Sequence, residues 1–129
     1  MSDGETSGID ALREALPDAA KDIKLNLSAV LQGGALSEAQ RWGVAITAAI
    51  TARNPELRDA IVADATRAGV AAAVIDDAQA AAALMAMNNV YYRFRHLVGK
   101  PEYSEKPAKL RMNRLVRPAT NKVDFELYS

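Results

Sequence analysis

An all-α fold is predicted for this 129-residue sequence by three observations. Half the residues are hydrophobic while aromatics supply only 5%. Alanine makes up much of the remainder, which suits helices packed closely through small side chains; strands favour β-branched and aromatic residues. Apolar residues recur at spacings of three and four along most of the chain, the period of one helix face. Glycines, prolines and capping residues punctuate those runs where helices start and stop. No alternation of period two is sustained, so no sheet is expected.

Residues 1–8 are small and polar with little to pack, and read as a flexible tail. The remainder, 9–129, reads as one helical domain, since a chain of this length can bury roughly two thirds of its unfolded surface in a single core. Ile9, Leu12 and Leu16 begin the first helix. Pro17 fits the first turn of a second, where its missing N–H costs nothing. That helix carries Ile23, Leu27, Val30 and Leu31 and stops at Gly33 and Gly34, which supply the positive φ that ends helices. Ser37 and Gln40 have capping-box spacing ahead of Trp42, Val44, Ala45, Ile46, Ala49 and Ile50. This third helix is apolar on most of its circumference, so tertiary or subunit contacts must cover it.

Asn54 and Pro55 are an N-cap and a first-turn proline for a helix through Leu57, Ile61, Val62 and Ala65 toward Gly69. Asp76, with Gln79 three residues on, reads as the cap of a long helix through Val98, stopped by Gly99 and Pro101. Residues 101–106 read as a loop. Pro107 is expected to open a short helix through Leu110, Met112 and Leu115 that ends at Arg117, because Pro118 disfavours a helical residue before it. Asn121 caps a final helix holding Val123, Phe125, Glu126, Leu127 and Tyr128. Fewer than three turns is marginal alone, so the domain is expected to be cut within its C-terminal helix.

Sixteen basic residues balance sixteen acidic ones. The long-range field that gathers nucleic acid or anionic membrane is therefore missing. The richest apolar run, residues 78–90, is shorter than the ~20 residues a bilayer requires and is broken by Gln79, Asn88 and Asn89. The first thirty residues hold no basic and apolar signal pattern, so a cytoplasmic location is expected. The absence of cysteine excludes a disulfide, a thiolate metal site or a cysteine nucleophile within these residues.

Six segments, Leu16–Ser28 (LPDAAKDIKLNLS), Gln40–Gly43 (QRWG), Arg53–Pro55, Met87–Arg93 (MNNVYYR), Leu110–Asn113 (LRMN) and Asp124–Ser129 (DFELYS), occur in an order and spacing that resemble the alkylhydroperoxidase D family. The resemblance implies an antiparallel helical bundle of that family, assembled as a homotrimer. It implies an antioxidant enzyme in which a Cys-x-x-Cys pair, on the helix continuing from the DFELYS segment, reduces a peroxide or the disulfide of a peroxiredoxin. Electrons then come from a dihydrolipoamide-bearing protein, and no cofactor is implied. The glutamate that relays protons to and from those cysteines matches Glu126. The cysteines and relay histidines would follow Ser129, so this chain is expected to lack activity.

Without the resemblance, Glu126 reads as a solvated glutamate or one favoured by a helix N-terminus. A relay role needs it partly buried. His96, the single histidine, makes no metal site alone. Asn88 and Asn89 are poor helix formers, offset by buried amide bonds to neighbouring helices or by a subunit contact; Tyr91 and Tyr92 read as packing residues with wet hydroxyls. Adjacent Asp76 and Asp77 diverge by about 100° on a helix, which argues against a shared metal. The basic run Lys106, Lys109, Arg111, Arg114 and Arg117 reads as a solvated face, with an acidic partner as the alternative. Two other readings compete: a carboxymuconolactone decarboxylase-like lyase working by acid–base chemistry, and a non-catalytic, truncated or degenerate helical module. The codons after Ser129 separate the three.

Overall fold

Ser7 opens the described part of the computed structural model, residues 7–129, by accepting a hydrogen bond from the Asp10 amide on its hydroxyl and so capping α1 (Gly8–Ala15). Residues 1–6 of the expected tail lie outside the described residues; its last two, Ser7 and Gly8, form this cap and the first helical position. A 3-10 turn, Asp18–Ala20, follows Pro17 and leads into α2 (Lys21–Ala29). The chain then turns through Gly33 and Gly34, both at positive φ.

Local signals set the next two helices. Ser37 and Gln40 form a reciprocal capping box at the start of α3 (Glu38–Thr51). Asn54 accepts from the Leu57 amide at 3.1 Å and Pro55 fills the first position of α4 (Pro55–Arg67). With three residues between them, α3 and α4 fold back as a hairpin, and α1 packs on α4. Asp64 of α4 accepts from the amides of Gly8 at 2.7 Å and Ile9 at 3.0 Å, adding a second cap to α1.

The long helix starts earlier than the sequence suggests. α5 runs Ala72–Val98 with Ala71 at its cap position, so Asp76 and Asp77 lie inside the helix and neither caps it. Gly69 at positive φ closes α4, and the alanines that follow are the strongest helix formers available, so the chain re-enters a helix at once. The expected loop after Gly99 contains α6 (Pro101–Ser104), with Pro101 at the first position. The helix expected from Pro107 to Arg117 shrinks to α7 (Asn113–Val116). Lys109 sits at positive φ, which a helix cannot accommodate. α8 (Lys122–Tyr128) closes the described chain, and no strand occurs among the described residues.

The core lies where α3 meets α4, α5 and α8: Ile46, Ala49, Ile61, Ala65, Val74, Ala78, Ala81, Phe125 and Tyr128 are buried. Alanines on α5 let it approach α3 until the Thr47 hydroxyl donates to the Ala78 carbonyl at 3.0 Å. The apolar surface of α3 is thus largely covered within the chain. A bare apolar stripe lies on α5, where Val90, Phe94 and Leu97 recur at i, i+4, i+7 with exposures of 70, 61 and 71%.

Gly43 marks the tightest approach. Its face of α3 receives the Tyr128 ring so closely that a Cβ there would overlap the ring atoms. Gly43→Ala must therefore displace Tyr128, and with it α8. Overpacking of this kind is expected to cost about 1–3 kcal/mol. Urea unfolding of the two proteins side by side tests this; equal midpoints would show that α8 moves without cost.

Candidate functional site

α8 carries the one candidate catalytic residue, and seven residues are too few to hold a helix in water unaided. Contacts with three other parts of the fold hold it. At its start the side-chain Oδ1 of Asn121 accepts from the Asp124 amide at 2.9 Å, and the Asn121 side-chain N–H donates back to the Asp124 carboxylate at 3.0 Å. Gln40 of α3 donates to the other Asp124 oxygen at 2.9 Å. Phe125 and Tyr128, three residues apart, point together into the core. The QRWG and DFELYS segments, remote in sequence, are therefore one packed unit. The MNNVYYR and LRMN segments also meet, through a contact of 3.2 Å from the Asn88 amide to the Met112 sulfur.

The third tether is a carboxylate to which the sequence reading gave no role. Asp77 has no solvent exposure. One of its oxygens accepts from Arg114 Nε at 3.0 Å and the Ala119 amide at 2.8 Å, the other from the Thr120 amide at 2.8 Å and the Thr120 hydroxyl at 2.6 Å. Burial alone would push this carboxyl up. The hydrogen bonds from Thr120, Ala119 and Arg114 outweigh it and hold Asp77 below the usual carboxylate range. Arg114 also pairs with Asp76, so this member of the basic run is committed to α5. Lys106 lies over the Tyr103 ring, and Lys109, Arg111 and Arg117 are exposed. The signal in the sequence was an acid pair at the head of an alanine-rich run, where an ionised side chain needs donors to be tolerated.

Glu126 faces outward from this framework. Its neighbours at i−3 and i+1, Val123 and Leu127, are exposed as well, so the carboxylate stands in an apolar patch on the solvent face of α8. None of the ion pairs among the described residues involves it. The partial burial that a relay requires is thus not supplied by these residues. On the opposite face, burial pushes the Tyr128 phenol up to about 12, helped by the Asp124 and Asp77 carboxylates, and its hydroxyl has no partner among the described residues.

His96 is exposed and borders a shallow surface hollow with Tyr92, Arg95, Gly99, Pro101 and Ser104, apart from the α8 framework in the sequence and in its contacts. Tyr91 and Tyr92 meet edge to face, with ring centres 5.1 Å apart. No group of three potential metal-ligating His, Cys, Asp or Glu residues occurs among the described residues. No helix of the described residues is long and apolar enough to cross a membrane.

No protein-family model matches the chain. It is 68% identical over 123 residues to a protein of Anaeromyxobacter dehalogenans named alkyl hydroperoxide reductase AhpD, an alignment covering 95% of this chain and 66% of that relative. Proteins of the same name from Rhodopseudomonas palustris and Brucella canis are 50% and 47% identical over 121 residues, or 94% of this chain and 66% and 69% of theirs. The chain thus spans about two thirds of the length of these relatives, and slightly less in another Anaeromyxobacter protein, 64%.

Proposed function

The chain belongs to the alkyl hydroperoxide reductase AhpD family, and from that premise we propose that it is the helical scaffold and proton-relay part of a thiol-dependent alkyl hydroperoxide reductase. The observation that carries the proposal is the identity with relatives of that name over 123 of the 129 residues; the packed unit of α3 and α8, on which Glu126 stands, supports it. In the reaction, a thiolate attacks the peroxide oxygen or one sulfur of a peroxiredoxin disulfide. The attacking thiol must first lose a proton and the leaving oxygen or sulfur must gain one. Glu126 is the group of this chain suited to hold and return that proton, once the patch formed with Val123 and Leu127 is covered and water around the carboxylate is reduced.

A dihydrolipoamide-bearing protein supplies the electrons and a peroxiredoxin receives them in this reading, which places the protein in the cytoplasm. The assembly proposed is a homotrimer. The bare stripe of Val90, Phe94 and Leu97 supports an assembled state, since a contiguous apolar face on a helix is what subunit contacts cover.

Because the 129 residues hold no cysteine, they can form neither a thiolate nor a mixed disulfide. The chain alone is expected to show no turnover of alkyl hydroperoxide or peroxiredoxin disulfide with dihydrolipoamide above the buffer blank. The complete protein is expected to turn both over. Activity of the cysteine-free chain, free of contaminating reductase, would remove the thiol mechanism; an inactive complete protein would remove the proposed function.

A further inference from the structure

We propose that Asp77 is a positioning residue: by clamping Ala119 and Thr120 to α5, it fixes the start of α8 and thereby the place of Glu126. The inference rests on the relay reading of Glu126 and adds to it a residue 49 positions away in sequence, 77 to 126, that touches no reacting atom.

The argument begins with what α8 lacks. Phe125, Tyr128 and the Gln40–Asp124 bond hold the inner face of this seven-residue helix, but its outer face is exposed, so the rotation of its first turn also depends on what holds the residues before it. Thr120 immediately precedes the cap residue Asn121, and both its amide and its hydroxyl end on one oxygen of Asp77. The Ala119 amide ends on the other. Two successive backbone amides and a side chain are thus aimed at a single carboxylate, a geometry that fixes the peptide in rotation as well as in distance. The carboxylate itself sits on α5, whose first half packs against α3 through buried Val74, Ala78 and Ala81.

Simple packing does not explain this choice. A buried carboxylate incurs a desolvation cost that an apolar side chain avoids, and Ala78, Ala81 and Ala82 show that this face of α5 accepts small apolar residues. What the carboxylate adds is direction. Asp64 offers a comparison, because it is nearly as buried and caps the start of α1 with the same kind of amide contacts, yet serves a helix that carries no candidate residue.

The test compares Asp77→Asn with Asp64→Asn. The asparagine keeps the size of the side chain but turns an N–H toward donors. By amide hydrogen exchange, Asp77→Asn is expected to speed exchange of the α8 amides roughly tenfold or more relative to those of α3, while Asp64→Asn speeds α1 and leaves α8 unchanged. In the complete protein, Asp77→Asn is expected to slow thiol exchange about 10- to 100-fold, as for a misplaced catalytic group. Combined with Glu126→Gln, it is expected to slow the reaction further by less than about twofold, because a residue acting through Glu126 has nothing left to position. A general loss of stability would not produce that non-additivity.

Unchanged α8 exchange, or a slowing that multiplies fully in the Glu126→Gln background, overturns the positioning role while leaving the relay intact. A normal rate for Glu126→Gln alone overturns the relay, and the catalytic part of this inference falls with it.

Discussion

Asp77→Ala is expected to lower the unfolding free energy at neutral pH by roughly 3–5 kcal/mol, the range for breaking a buried ionic network by removing one partner. The truncation orphans the Ala119 and Thr120 amides and the Thr120 hydroxyl, while Arg114, partly exposed and still paired with Asp76, loses less. The effect carries a pH signature. Because the folded carboxyl is held below its unfolded value, near 3.9, its stabilisation is fully present above that value and is lost as pH falls through the folded pKa. Urea melts should therefore show the full gap between wild type and Asp77→Ala from pH 5 to 7, and a narrowing gap below about pH 4. A gap under about 1 kcal/mol, or one that stays constant into acid, would mean that Asp77 is neutral in the folded chain or contributes only by packing.

The features legible in the sequence are those decided within a few residues. Ser37 with Gln40, Asn54 with Pro55, and Asn121 each satisfy helix-end amides three residues away, and each cap forms where its residue type and spacing suggest. Asp76 followed by Gln79 offers the same spacing and misleads, because Gly69 and the alanines from 71 start the helix a turn earlier. Residues 107–112 misled for a related reason: Pro107 is as compatible with irregular chain as with a first helical turn, and Lys109 at positive φ excludes the latter. The partners of Asp77 lie 37 to 43 residues away, beyond any local pattern. Glu126 stands between these cases. Its position on the helix was readable, and the spacing of Phe125 and Tyr128 also implies that it faces outward, whereas the burial its chemistry needs depends on contacts no local spacing encodes.

That outward placement makes Glu126→Gln a clean probe of the proposed relay. The side chain is exposed and outside every ion pair of the described residues, so the near-isosteric amide should change the stability of this chain by no more than about 0.5 kcal/mol. In the complete protein the same substitution removes a group that must gain and lose a proton, while leaving α8, its Asn121 cap and its contacts with Gln40 and Gly43 in place. Loss of one acid–base group is expected to slow the thiol-exchange step roughly 10²–10⁴-fold. The slowing should appear in the chemical step and not as a lower melting temperature. A glutamate that merely decorates the solvent face predicts the reverse pairing, a few tenths of a kcal/mol in stability at most and an unchanged rate. Single-turnover kinetics and thermal melts of the two proteins, run together, separate these outcomes. A near-normal rate would remove Glu126 from the mechanism and leave the catalytic groups wholly outside these 129 residues.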